Sequence, residues 1–330
     1  MTLTAEDRET LETFETRLKA ILPEAYQETY ENVQPVSMGS AGLKYGFDGK
    51  VAWDQIWGSF CDLAMAGGPP HKGTLLEPAP RAAIDAHPDQ YREVVEEICR
   101  GVKMVTELEA SPSPHRGWVR VTTHDETMAG WLLRAIVMEN VAARAEGALL
   151  DLPASPAFRL AKEIKNVITV IAKTCHYWTG HMPWAQQRTI GALFATLAEE
   201  SPLLEPLLEP GFASADAPLL VGRKSKQNIS AGDDAARPDA ARHDATRPDF
   251  ALPAGLRFSD HHYAGWLGVE CPSVPAALWM MRMMIAANIL ARREGTVLFV
   301  PINPVTDPGG EIVAEAIARI HHLATVKQAI

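Results

Sequence analysis

Three stretches carry side chains whose types and spacing suit chemistry. In AGGPPHKGT (residues 66 to 74), two glycines free backbone N–H groups and two prolines stiffen the turn. His71 and Lys72 then place a titratable imidazole beside a positive charge, a combination suited to phosphate or carboxylate. A rigid turn ending a helix uses the same residues. Neither the Walker A nor the dinucleotide fingerprint spacing is present. In TCHYWTGHMPW (residues 174 to 184), Cys175, His176 and His181 are donors that zinc or another transition metal accepts. Their spacing matches no standard zinc motif, and Cys175 falls toward the apolar side of the helix. A core cysteine followed by helix-terminal histidines is the plainer alternative. His71, His176 and His181 are therefore the candidates for proton transfer, and Trp178 is a candidate pocket wall.

The third stretch precedes these histidines. At 100° per residue, Lys162, Lys165, Asn166, Thr169, Lys173 and His176 fall on one stripe of a helix spanning about 158 to 178. The stripe lacks Asp and Glu, as an anion site would. A solvated face gives the same pattern. Cys61 and Asp62 lie upstream of the GGPPHKG loop, and nothing marks Cys61 as activated.

The elements that position these residues recur. WLLRAIVMENVAARAEGALLDLP (131 to 153) reappears as WMMRMMIAANILARREGTVLFVP (279 to 301), offset by 148. Over 117 to 154 against 265 to 302, 13 of 38 positions are identical, where chance gives roughly two or three. Each copy reads as strand, helix, strand, then a second helix. Asp125 and Ser273 are the N-caps, and Gly147 and Gly295 end the first helix of each copy. Two such units predict an α+β fold with a pseudo-symmetric, ferredoxin-like four-stranded sheet, added N-terminal helices and a parallel doubly wound sheet as the alternative.

Both repeat helices are apolar nearly all round, apart from Arg134 and Asn140 and their counterparts Arg282 and Asn288. A buried guanidinium requires a carboxylate, a cluster of carbonyls or an anionic ligand. Glu163 and Glu311 are the expected ion-pair partners. A ligand's phosphate or carboxylate is the other reading.

The expected organisation is a helical region with the GGPPHKG loop at 1–110 and the first copy at 111–220. A flexible linker at 221–254 and the second copy at 255–330 follow. Helices are expected at 53–66 and 88–108, and Asp48-Gly49 signals a hairpin. SKQNISAGDDAARPDAARHDATRPDF (225 to 250) has almost no large apolar residue, so its loss should be tolerated.

A net charge of -10 argues against a backbone-tracking nucleic-acid protein. No apolar run reaches membrane-spanning length, and four scattered cysteines suit the cytoplasm. The expected function is a cytoplasmic enzyme using histidine acid/base chemistry on a small anionic, phosphate- or carboxylate-bearing metabolite. Lys72, Arg134, Lys165, Asn166, Arg282 and Trp178 would form its binding site. A transition metal is the cofactor class considered, and a homo-oligomer is compatible. The alternative is a non-catalytic binding or regulatory protein with structural arginines.

Overall fold

The structure, a computed structural model, describes residues 3–28, 42–207, 250–261 and 263–327. Each half of the chain builds its own four-stranded antiparallel sheet. The first contains β1 (Glu109–Pro112), β2 (Trp118–Thr122), β3 (Arg144–Glu146) and β4 (Leu149–Pro153), in the order β1-β2-β4-β3. The second contains β5 (Arg257–Phe258), β6 (Trp266–Glu270), β7 (Arg292–Glu294) and β8 (Val297–Pro301), in the order β5-β6-β8-β7. The architecture is thus mixed helix and sheet, but the halves do not share one four-stranded layer, and neither sheet is parallel. The reason is local. Each expected second strand is a hairpin, β3–β4 or β7–β8, and an upstream strand completes each sheet.

The pairing register recurs with the sequence offset. Trp118 faces Pro153, and Trp266 faces Pro301. Helices α5 (Glu126–Met138) and α8 (Val274–Ala286) join β2 to β3 and β6 to β7. Asp125 accepts from Met128 N at 2.8 Å and Ser273 from Ala276 N at 3.2 Å, so both N-caps form. Both helices stop before the glycines expected to end them. Asn140 and Asn288 follow at φ 61° and 60°, a conformation asparagine tolerates. Gly147 and Gly295 instead occupy the hairpin turns at φ 56° and 59°.

Packing crosses between halves. Helix α1 (Ala5–Ile21), which precedes a short α2 (Glu24–Gln27), lies on α8, while α7 (Trp184–Glu200) lies on α5 within the first half. A four-residue motif follows the same logic. Leu75-Leu76-Glu77-Pro78 and Leu203-Leu204-Glu205-Pro206 run beside the ends of α5 and α8. Leu76 bridges Val141, and Leu204 bridges Ile289. Leu76 N donates to Asn140 O at 2.9 Å, and Leu204 N to Asn288 O at 3.0 Å.

Helix α4 (Pro88–Thr106) forms where expected, after a short α3 (Arg81–Ala86). Gly49, at φ 74°, makes the expected tight turn, with Gly46 N bonded to Lys50 O at 2.8 Å. The helix expected over 53–66 does not form beyond a 3-10 turn at Trp53–Gln55. Almost all of the 225–250 segment lies outside the described residues. Among the described residues, no helix is long and apolar enough to cross a membrane.

Candidate functional site

Helix α6 (Lys165–His181) begins after a π-turn at Leu160–Ile164 and carries most of the polar stripe. Residues 57–73 cover it, so the middle of the stripe is an internal interface. Asn166 Oδ1 accepts from His71 Nε2 at 3.0 Å, and Thr169 Oγ1 accepts from Trp57 Nε1 at 3.3 Å. The His176 ring rests against Phe60, with centroids 5.2 Å apart.

Lys173 anchors this cover. It has no exposed surface, and its Nζ lies 2.7 Å from Oε1 of Glu139, equally buried at the end of α5. The ammonium also donates to Asp62 O at 3.2 Å and approaches Cys61 Sγ at 3.4 Å. Burial alone would lower the Lys173 pKa. Glu139 and Cys61 outweigh it and hold the pKa above its ordinary value. Glu139 also accepts from Ala64 N at 2.9 Å and His71 N at 2.8 Å. One carboxylate thus fixes the start and end of the loop. Tyr26 completes the support, donating to Asp62 Oδ1 at 2.5 Å and meeting Tyr177 Oη at 2.9 Å.

The two repeat arginines do not bind through free donors. Arg282 donates from Nε to Met65 O at 3.2 Å and from Nη2 to Ala66 O at 2.6 Å, a carbonyl cluster within the same loop. Arg134 donates to Gly130 O at 2.9 Å and Asn288 Oδ1 at 2.7 Å, and stacks 4.0 Å from the Phe194 ring centroid. Burial lowers its pKa to about 10. Glu163, its expected partner, pairs with Arg159 at 2.7 Å instead. Both guanidiniums are almost wholly buried, with main-chain or amide partners.

The edge of the loop is different. His71 and Lys72 meet the start of α6 at Asn166, and the fields of Glu163, Arg159 and Lys162 reach Lys72. Burial lowers the His71 pKa to about 4, against the pull of Glu139, with Lys173 and Lys72 adding to the fall. The imidazole is therefore neutral at pH 7. Asn166, as oriented, places the hydrogen on Nε2, leaving Nδ1 as a hydrogen-bond acceptor. Burial also lowers the Lys72 pKa. Lys165 stands next to Asn166, half-buried. Glu163 is held down to about 2 by its bonds to Arg159, which overcome its desolvation. Among the described residues, neither Lys72 nor Lys162 has a carboxylate within 4.0 Å.

The remaining candidates lie elsewhere. Asn166 and His176 are ten residues apart on α6, roughly 15 Å along its axis. His71 and His176 therefore do not converge on one small ligand. His176 and His181 are exposed near the C-terminal end of the helix, with Nε2 atoms 3.1 Å apart. Cys175 is buried, and burial pushes its thiol up to about 12. It forms no three-ligand group with them, and no such His, Cys, Asp or Glu group occurs among the described residues. Trp178 is buried against Trp131, 5.5 Å between ring centroids.

Sequence reasoning missed Glu139. The available signal was the offset: Ala287 occupies its place in the second half, and His321 that of Lys173. It also missed a polar brace between halves. Arg292, fully buried, donates to Glu294 Oε1 at 2.7 Å and Asn140 Oδ1 at 3.1 Å. Its guanidinium stacks 4.1 Å from the Phe299 ring and 4.4 Å from Tyr263. Nearby Glu77 is raised to about 7 by burial, with Arg292 opposing and Glu294 reinforcing the rise. No family model, curated protein or solved structure matches this chain.

Proposed function

We propose that the chain binds a small anionic metabolite, phosphate- or carboxylate-bearing, where His71 and Lys72 meet the start of α6. One observation carries this reading. Among the described residues, Lys72 and Lys162 have no carboxylate within 4.0 Å; Lys72 adjoins a neutral imidazole whose Nδ1 makes no hydrogen bond, and the charge of Lys162 reaches Lys72. The ammoniums would hold the anion, and Nδ1 would accept from a hydroxyl or similar donor on the same ligand. Proton transfer through Nδ1 is the second reading, since an open acceptor is what a base requires. A pKa near 4 makes His71 a weak one at pH 7.

The asymmetry between halves supports one site. We infer that the halves are duplicates, from the shared strand order, register, N-caps and left-handed asparagines. Only the first half has Lys162, Asn166, Lys173 and Glu139; the second has Gly310, Ala314, His321 and Ala287. The cysteines are free thiols, consistent with a reducing compartment such as the cytoplasm.

Calorimetric titration of the full chain with inorganic phosphate and sulfate at pH 7 tests the reading. Phosphate, which carries an O–H at that pH, should bind more tightly than sulfate. Lys72→Met and Lys162→Met should each weaken phosphate roughly tenfold, the size of one charge-assisted hydrogen bond. Unchanged affinity in both variants, or no binding at millimolar phosphate, would overturn it.

A further inference from the structure

We propose that His176 and His181 form a two-imidazole site for a divalent transition metal near the C-terminal end of α6. The site is independent of the anion-binding edge, which lies roughly 15 Å away along the helix. The Nε2 atoms are 3.1 Å apart and both residues are exposed. At that distance, one neutral ring donates a hydrogen that the other accepts. A metal ion can replace this shared hydrogen once the rings turn so that both lone pairs converge on it. With metal–nitrogen bonds of about 2.0–2.1 Å, nitrogens at this spacing subtend roughly 95–100° at the ion. That angle lies between square-planar and tetrahedral values, so copper, nickel and zinc are all accommodated.

The rings are held before any ion arrives. His176 leans on Phe60 at 5.2 Å and meets Tyr177 edge-on at 5.8 Å between centroids. His181 rests on Tyr177 at 5.1 Å. Gly180 keeps the flank of His176 open: a Cβ there would lie 3.9 Å from its Nδ1 and Cε1, and any longer side chain would reach over the ring. The partial negative charge at a helix C-terminus also favours a cation. Since no third His, Cys, Asp or Glu completes the group among the described residues, the remaining positions would go to water or a small exogenous ligand. Imidazole-only donation excludes magnesium and calcium, which require oxygen ligands.

Titrating the full chain with Cu2+ while recording electron paramagnetic resonance tests the proposal. The wild type should bind one equivalent with a two-nitrogen coupling pattern. His176→Gln and His181→Gln should each weaken binding at least roughly tenfold and reduce the pattern to one nitrogen. The double variant His321→Gln/His322→Gln, which alters the adjacent histidines of the last helix, should bind like wild type. Retention of wild-type affinity and coupling in either single variant would overturn the site. If His176→Gln misfolds through its contacts to Phe60 and Tyr177, His181→Gln, at the helix end, decides alone. Phosphate affinity should be unchanged in both variants.

Discussion

Glu139 is closed to water, yet its two oxygens serve an ammonium and two backbone N–H groups. Removing one partner of such a pair leaves the other charge buried and alone, which costs about 3–5 kcal/mol. Lys173→Met should lower unfolding free energy by that amount in urea titrations, and Glu139→Leu by at least as much, since Ala64 N and His71 N also lose their acceptor. A loss below about 1 kcal/mol for Lys173→Met would show that water reaches the pair. Two other residues set pH dependence with opposite signs. His71 has a folded pKa of about 4 against an ordinary 6.5. It contributes stability above pH 6.5 that is lost as pH falls toward 4, and His71→Gln should flatten that decline. Glu77, at about 7 against 4.5, contributes stability below pH 4.5 that is lost as pH rises through 7. Glu77→Gln should therefore gain on the wild type between pH 5 and 8. Urea midpoints at several pH values separate the two contributions, and slopes of reversed sign would contradict both assignments.

At the scale of elements, local signals located helices better than their ends. Apolar periodicity predicted the repeat helices, but periodicity cannot register that Asn140 and Asn288 leave the helix by taking positive φ. The segment 53–66 shows why a helical pattern fails. Its backbone groups are taken by distant side chains: Ala64 N by Glu139, Asp62 O by Lys173, Met65 O and Ala66 O by Arg282. Those partners lie 75 to 217 residues away, beyond the reach of local pattern. His71, Lys72 and Asn166 were recognisable by type; their meeting was not, because loop and helix join through a buried pair that neither contains in full. Gly68 marks the tightest point of this loop, where a Cβ would overlap the Asp62 carbonyl. Gly68→Ala should lower the thermal midpoint by several degrees and accelerate hydrogen exchange at residues 61–72. Wild-type exchange rates in that segment would show the loop to be looser than drawn.

Across the whole molecule, the halves are interlocked rather than adjacent. Arg134 reaches Asn288, Arg292 reaches Asn140, and Asn140 Nδ2 donates to Arg293 O at 2.9 Å. Helix α1 of the first half also covers α8 of the second. The 148-residue offset was legible because 13 identities share one spacing. The Leu-Leu-Glu-Pro pair escaped notice, being only four residues long and set at a different offset. Interlocking predicts one unfolding transition. Helical circular dichroism and tryptophan fluorescence should give coincident urea curves. Two separated transitions would mean that each half holds its fold alone.

The anion-binding edge is tested most directly by nitrogen-15 spectra of the histidine-labelled full chain at pH 7, with His71→Gln identifying the signal among 11 histidines. His71 should be neutral, with hydrogen on Nε2, and its Nδ1 resonance should move as phosphate is added. In Lys72→Met the same movement should require roughly tenfold more phosphate. A doubly protonated His71, or an Nδ1 signal that stays fixed while phosphate saturates the protein, would contradict the proposed function.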